Sequence, residues 1–389
     1  MLTLIDNAFV HAPRPLGVQQ VLVADGRIAA VATQIDLQGA ALQRLDAGGR
    51  WLLPGFVDLL THPCGGGGEG GFGNRTAELS LADFVRAGVT CPVGALGTDA
   101  LGRSLEVLYA SVMALRARGL DAYMYSGSYR VPPVTLTGDV ARDLVLIEPV
   151  IGVGEVAIAD HRGTQPSPAE LRRLASESRL GATIAGKRGA VLVHVGEGEQ
   201  RLAPLRAALA DSALPGSSFI PTHCNRNQAL LLEAFDLARR GATIDFTAST
   251  TPEFIAAGEV PALDGLLQAL EAGVDPACIT LSSDAGGSLP LYRDGELCGL
   301  QQAGPGALLA LLREALRRGV TDLEPVLAAM TSNPARALGL TRKGCIAPGA
   351  DADLLLFDPE TGRLEDVMCR GQWLLRDNDL TVTPITVQS

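Results

Sequence analysis

Over the first fifty residues, apolar and polar positions alternate in short runs at 2–10, 20–24 and 28–32. The last two runs are joined across Asp25-Gly26, a dipeptide suited to a tight hairpin turn. Strand-like text returns at 353–358, 367–370 and 373–376, so the two ends are expected to pair into one small β-sandwich. Between them the period changes. Apolar β-rich runs at 52–60, 90–96, 122–126, 150–158, 190–195, 218–222, 242–247 and 278–282 alternate with stretches such as 101–118, 168–179, 228–240 and 307–318. In those stretches Leu, Ala and Arg recur at helical spacing. Eight β–α units in succession predict an α/β protein with a closed (β/α)8 TIM barrel. The expected division is a barrel over 54–341 and a sandwich built from 1–53 plus 342–389.

The chain has 389 residues, 47% of them hydrophobic, which suffices for one barrel-sized core plus a smaller body. A net charge of −11 with scattered acidic residues prepares no surface for nucleic acid. No apolar run reaches a membrane span, and the start Met1-Leu2-Thr3 lacks a basic region and a cleavage signature, so a cytoplasmic enzyme is expected. Seven cysteines without a CxxC pair argue against a disulfide framework.

His62, Thr98, Tyr129, Glu155, His194, His223 and Asp284 all fall at or just beyond the C-terminal end of a predicted strand, where barrel enzymes assemble their sites. Of the five histidines, His194 in Val-Leu-Val-His and His223 in Ile-Pro-Thr-His end apolar strands. Either one alone reads as a core histidine satisfied by a neighbour. Together with Glu155 they form the mixed nitrogen and oxygen set that catalytic zinc requires. Asp284, in Leu-Ser-Ser-Asp, reads as the free carboxylate that shuttles a proton, or as a helix N-cap. The glycine run at 65–71 has neither the Lys-Ser/Thr of a P-loop nor a dinucleotide spacing. It reads as a flexible loop that brings backbone and Glu69 to a ligand, or as a plain solvent loop. Arg162 and Arg226 follow two barrel strands closely and could clamp substrate carboxylates.

The opening Leu53-Pro-Gly-Phe-Val-Asp58 and the closing Gly349-Ala-Asp-Ala-Asp-Leu354 resemble the amidohydrolase superfamily. Within it, Gly65-Gly-Gly-Gly-Glu69, Gly97-Thr-Asp99, Gly127-Ser-Tyr-Arg-Val-Pro132, Asp160-His-Arg162, Pro221-Thr-His-Cys-Asn-Arg-Asn227 and Ser282-Ser-Asp284 resemble the isoaspartyl dipeptidase family. The resemblance implies zinc ligation by His194 and His223, acid/base work by Asp284 and a Tyr129 hydroxyl that donates to the oxyanion. It further implies Glu69 on a substrate α-amino group, Arg162 and Arg226 on its carboxylates, and Thr98 and Ser288 as additional polar contacts. A homo-oligomer is also implied.

Two positions depart from the family. Its first-strand His-x-His reads Leu60-Thr61-His62, and its bridging lysine aligns with Glu155. The expectation is therefore one tight zinc on Glu155, His194 and His223, with His62 a weak second-site ligand or a neighbour of the ligands, and Cys64 a remote substitute for the missing imidazole. The function expected is zinc-dependent hydrolysis of a β-aspartyl amide bond in a small zwitterionic substrate. The alternatives are an N-acyl amino acid deacylase, a cyclic-amide hydrolase, or a metal-free binding protein.

Overall fold

The computed structural model describes residues 2–37, 42–210, 212–293 and 296–381. Eight strands form the barrel: β1 (Phe56–Thr61), β2 (Val89–Gly94), β3 (Tyr123–Ser126), β4 (Val150–Ile158), β5 (Val191–Val195), β6 (Phe219–Thr222), β7 (Ile244–Thr247) and β8 (Ile279–Ser282). The first six pair in parallel in sequence order, and β7 pairs β8. Two contacts close the ring. The Cys224 N–H after β6 donates to Asp245 O on β7 at 3.1 Å, and Thr61 of β1 bridges Ala285 beyond β8. All nine positions of β4 are buried, which is why it reads as a continuous apolar run rather than an alternating one.

The first expected strand, 52–60, divides at Gly55. Trp51–Pro54 belongs to the terminal sheet and Phe56–Thr61 to the barrel. A Cβ at Gly55 would lie 2.1 Å from Thr90 Oγ1, so the corner needs a residue without a side chain. Apolar text runs through the corner unbroken and conceals it.

Strands from both chain ends form one nine-stranded sheet, in which Trp51–Pro54 pairs antiparallel with Leu354–Asp358. It encloses its own core of Ile5, Val10, Ile28, Leu52, Leu354 and Met368. Asp25 and Gly26 have φ of 49° and 78°, as a hairpin turn with two left-handed residues requires. Residues 382–389 of the expected C-terminal sandwich segment lie outside the described residues. Lys343 fastens sheet to barrel: its Nζ lies 2.7 Å from Asp121, 3.1 Å from Asp351 and 2.6 Å from Asp353. After β8 the chain forms a hairpin of Ser288–Arg293 with Glu296–Gln302. Among the described residues, no helix is long and apolar enough to cross a membrane, and all seven cysteines are free.

Candidate active site

Beneath the strand ends lies a polar layer that sets their positions. Asp58 on β1 accepts the Ser283 N–H at 3.0 Å and the Ser283 hydroxyl, which ties β1 to the residue before Asp284. Asp245 on β7 accepts hydroxyls from Thr222 at 2.7 Å, Thr280 at 2.8 Å and Ser282 at 2.6 Å, joining β6, β7 and β8. Burial pushes both carboxyls up to about 7. Directly above this bracing, His223 and Asp284 stand in the left-handed backbone region, at φ of 60° and 53°. Non-glycine residues are uncommon there, and outside turns they cluster at functional positions.

Glu155, His194 and His223 converge: one ligand atom from each lies within 4.8 Å of the others, and all three residues are buried. Glu155 Oε1 is 3.0 Å from His194 Nδ1 and 3.3 Å from His223 Nε2. The remaining ring nitrogens are engaged from outside. His194 Nε2 lies 2.8 Å from Asp160 Oδ2, and His223 Nδ1 lies 2.6 Å from Thr247 Oγ1. This is how metal-binding imidazoles are usually oriented, with the free nitrogen aimed at the ion. Glu155 Oε2 is sealed from solvent and has no hydrogen-bond partner among the described residues. A buried carboxylate oxygen left this way calls for a cation, so the donor set fits a metal ion. Burial alone would raise the Glu155 carboxyl, but the two histidines outweigh it and hold the group well below the usual carboxylate range. Burial lowers His223 to about 4, keeping it neutral as a ligand must be. Glu155 does not end its strand as expected. It sits mid-strand, and β4 continues to Ile158.

His62 lies beside this group rather than in it. Its Nδ1–H donates to Ala95 O at 3.0 Å, and its Nε2 faces Asp284 Oδ1 at 3.0 Å and Glu155 Oε2 at 3.7 Å. Burial would lower the ring, but the two carboxylates outweigh it and raise it to about 9. Leu60 is fully buried in an apolar cluster with Val57, Tyr125 and Ile220. Burial pushes the Cys64 thiol up to about 11, away from the thiolate that a metal needs.

The cavity over these groups has a volume of about 800 Å3, and every other expected residue lines it: Glu69, Thr98, Tyr129, Arg162, Arg226 and Ser288. The glycine-rich loop is pinned. Gly66 N–H donates to Thr76 Oγ1 at 2.6 Å, and Arg103 donates to Gly66 O at 2.9 Å. Glu69 at its end pairs with Arg162 at 2.8 Å, and the Ser288 hydroxyl lies 3.5 Å from Glu69 Oε2. Thr98 donates to Gly67 O at 3.4 Å. Arg162 is gripped by Asp160 through two bonds of 2.9 and 2.7 Å. Arg226 donates from Nε to Val195 O at 3.1 Å, leaving the rest of its guanidinium for the cavity. Tyr129 OH lies 2.7 Å from His194 Nδ1, and burial holds its phenol well above the usual range.

In the sequence Asp160 stands out only as part of the Asp160-His-Arg162 block, and Thr247 carries no motif, although it also ends a strand. Phe254 and Glu259 line the cavity from beyond β7. No motif flags either of them.

The model of the amidohydrolase family matches residues 51–374. The crystal structure of a beta-aspartyl dipeptidase from Fervidobacterium islandicum AW-1, in complex with beta-Asp-Leu dipeptide, is similar, with 40% identity and a TM-score of 0.92 over 99% of this chain and 100% of that one. A dihydroorotase from Anaeromyxobacter dehalogenans (strain 2CP-C) is 27% identical, covering 88% of this chain and 84% of its own. A dihydropyrimidinase from Brevibacillus agri NCHU1002 shares the fold, at 19% identity and a TM-score of 0.66 over 98% of this chain and 96% of that one.

Proposed function

Because the chain belongs to the amidohydrolase family and is a hydrolase, we propose that it cleaves the β-aspartyl amide bond of isoaspartyl dipeptides, with one zinc ion held by Glu155, His194 and His223. The observation that carries this reading is the make-up of one cavity. Its floor is the buried Glu–His–His group, and its wall carries Glu69, Arg162 and Arg226, a charge pattern complementary to a zwitterion with two carboxylates. When bound, zinc supplies Lewis acidity, polarising a carbonyl oxygen and acidifying water.

The chain's own residues do the rest. Glu69 takes the substrate α-amino group, and Arg162 takes the aspartyl carboxylate from a guanidinium already aligned by Asp160. Arg226 takes the carboxylate of the leaving residue, while Thr98 and Ser288 add polar contacts. Asp284 removes a proton from water and returns it to the leaving amine, its carboxylate held by His62. The Tyr129 hydroxyl donates to the carbonyl oxygen as negative charge develops there.

Cyclic-amide hydrolysis remains the competing activity, because curated relatives include a D-hydantoinase from Geobacillus stearothermophilus, at 23% identity over 99% of this chain. Elemental analysis, run alongside amino acid release from isoaspartyl dipeptides, N-acyl amino acids and hydantoins, separates these readings. One zinc per chain with dipeptide release is the expected result. One zinc with turnover of only the other substrates transfers the mechanism to them, and two tightly bound ions per chain would overturn the single-zinc centre.

A further inference from the structure

Beyond β7 the chain forms a short helix, Pro252–Ala256, turns at Gly258 and enters the cavity wall at Glu259. This segment is fixed to the residue beside Arg226. Val260 N–H donates to Asn225 O at 2.9 Å, while the Asn225 side chain donates to Val260 O at 2.9 Å and to Thr247 O at 3.1 Å. Glu259 N–H donates to Phe254 O at 3.0 Å. The Glu259 carboxylate is therefore carried on a braced backbone, beside the guanidinium that receives the leaving residue's carboxylate.

Glu259 Oε1 is sealed from solvent and has no hydrogen-bond partner among the described residues. The obvious partner, Arg226, is turned elsewhere: its Nη1 lies 3.7 Å from Glu197 on the exposed rim, and no ion pair within 4.0 Å joins it to Glu259 among the described residues. Arg226 and Glu259, which both line the cavity, thus keep opposite binding capacity that no ion pair between them consumes. Glu69 and Arg162, which also line it, are already paired with each other. Phe254, half-buried, lines the same cavity with an apolar face. Burial pushes the Glu259 carboxyl up against smaller opposing pulls from the Thr250 hydroxyl and Arg226, and an N–H donor or cation brought next to it would relieve that penalty.

We infer that Glu259 determines specificity, selecting a leaving amino acid whose side chain ends in a cationic or N–H donor group. This rests on the β-aspartyl dipeptidase reading. Arg226 would hold the carboxylate of that amino acid, Phe254 would pack on its aliphatic stem and Glu259 would receive its polar end. A buried charged hydrogen bond has the strength to discriminate, since its loss leaves one group desolvated and unpaired.

The test compares kcat/KM for β-Asp-Lys and β-Asp-Leu on the zinc-loaded enzyme, wild type against Glu259→Gln and Glu259→Leu. The ratio within each protein is the readout, so a general loss from poor folding cancels. Wild type is expected to favour β-Asp-Lys by about tenfold or more. Glu259→Gln should reduce the ratio, and Glu259→Leu should bring it to about one or reverse it. A ratio that Glu259→Leu leaves unchanged overturns the assignment. If wild type cleaves neither peptide, the dipeptidase reading fails, and calorimetric binding of free L-lysine and L-leucine still decides on Glu259. A lysine preference lost in Glu259→Leu supports the assignment, and equal binding by wild type overturns it.

Discussion

Asp284 is held outside the Glu155–His194–His223 group, with its Oδ1 3.0 Å from His62 Nε2. Its removal should therefore separate chemistry from metal binding. Asp284→Asn is expected to lower kcat by about 10²–10⁴-fold, the usual weight of general acid–base catalysis, with zinc per chain unchanged. Parallel loss of zinc and activity would make Asp284 a ligand instead. Asp160 has the opposite signature. Because it orients His194 through the nitrogen facing away from the group, Asp160→Asn should weaken zinc binding by about 10–100-fold, as read by chelator competition. At this scale the sequence was readable wherever a reactive side chain interrupts apolar text, as at His194, His223 and Asp284. It was silent where a role depends on which ring nitrogen faces which neighbour. Thr247 and Asp160 differ from ordinary strand-end residues only in that respect.

The elements were legible for a related reason. Strands buried on both faces and helices with one apolar face follow different periods, so seven of the eight expected barrel runs coincide with strands to within a residue or two. The exception is the run across Gly55, where two strands of different sheets share one apolar text. Periodicity carries no information about a corner made by close backbone approach. Gly55→Ala tests that corner. The added methyl would meet the fully buried Thr90, and overpacking of this kind is expected to destabilise by about 1–3 kcal/mol. The urea midpoint should fall at constant slope, whereas an unchanged midpoint would mean that Thr90 yields without strain. The hairpin after β8 was legible as well, because Asp294-Gly295 between its strands is the same dipeptide as Asp25-Gly26, but the weak alternation around it drew no strand assignment.

At the scale of the whole molecule, one contribution to stability should weaken on the acid side and be traceable to the terminal sheet. His11 lies between Phe9 and Trp51, with ring centroids 5.3 and 4.5 Å away, and neither of its nitrogens has a partner among the described residues. Burial lowers its pKa from 6.5. As pH falls through that value the unfolded chain takes up a proton that the native chain refuses, so stability drops with pH. His11→Phe should therefore lose less Tm than wild type between about pH 7.5 and pH 5. Parallel curves would remove His11 as the source.

The pairing of Trp51–Pro54 with Leu354–Asp358 also constrains the order in which the protein can be made. During translation Trp51–Pro54 emerges before the barrel and presents an open, apolar edge while the barrel units are being synthesised, and the strand that covers this edge leaves the ribosome only after all of them. The nascent chain thus carries a sticky margin throughout the synthesis of the barrel. A premature stop before Leu354, although far from the catalytic cavity in sequence and function, should release an intact set of active-site residues on a chain that aggregates.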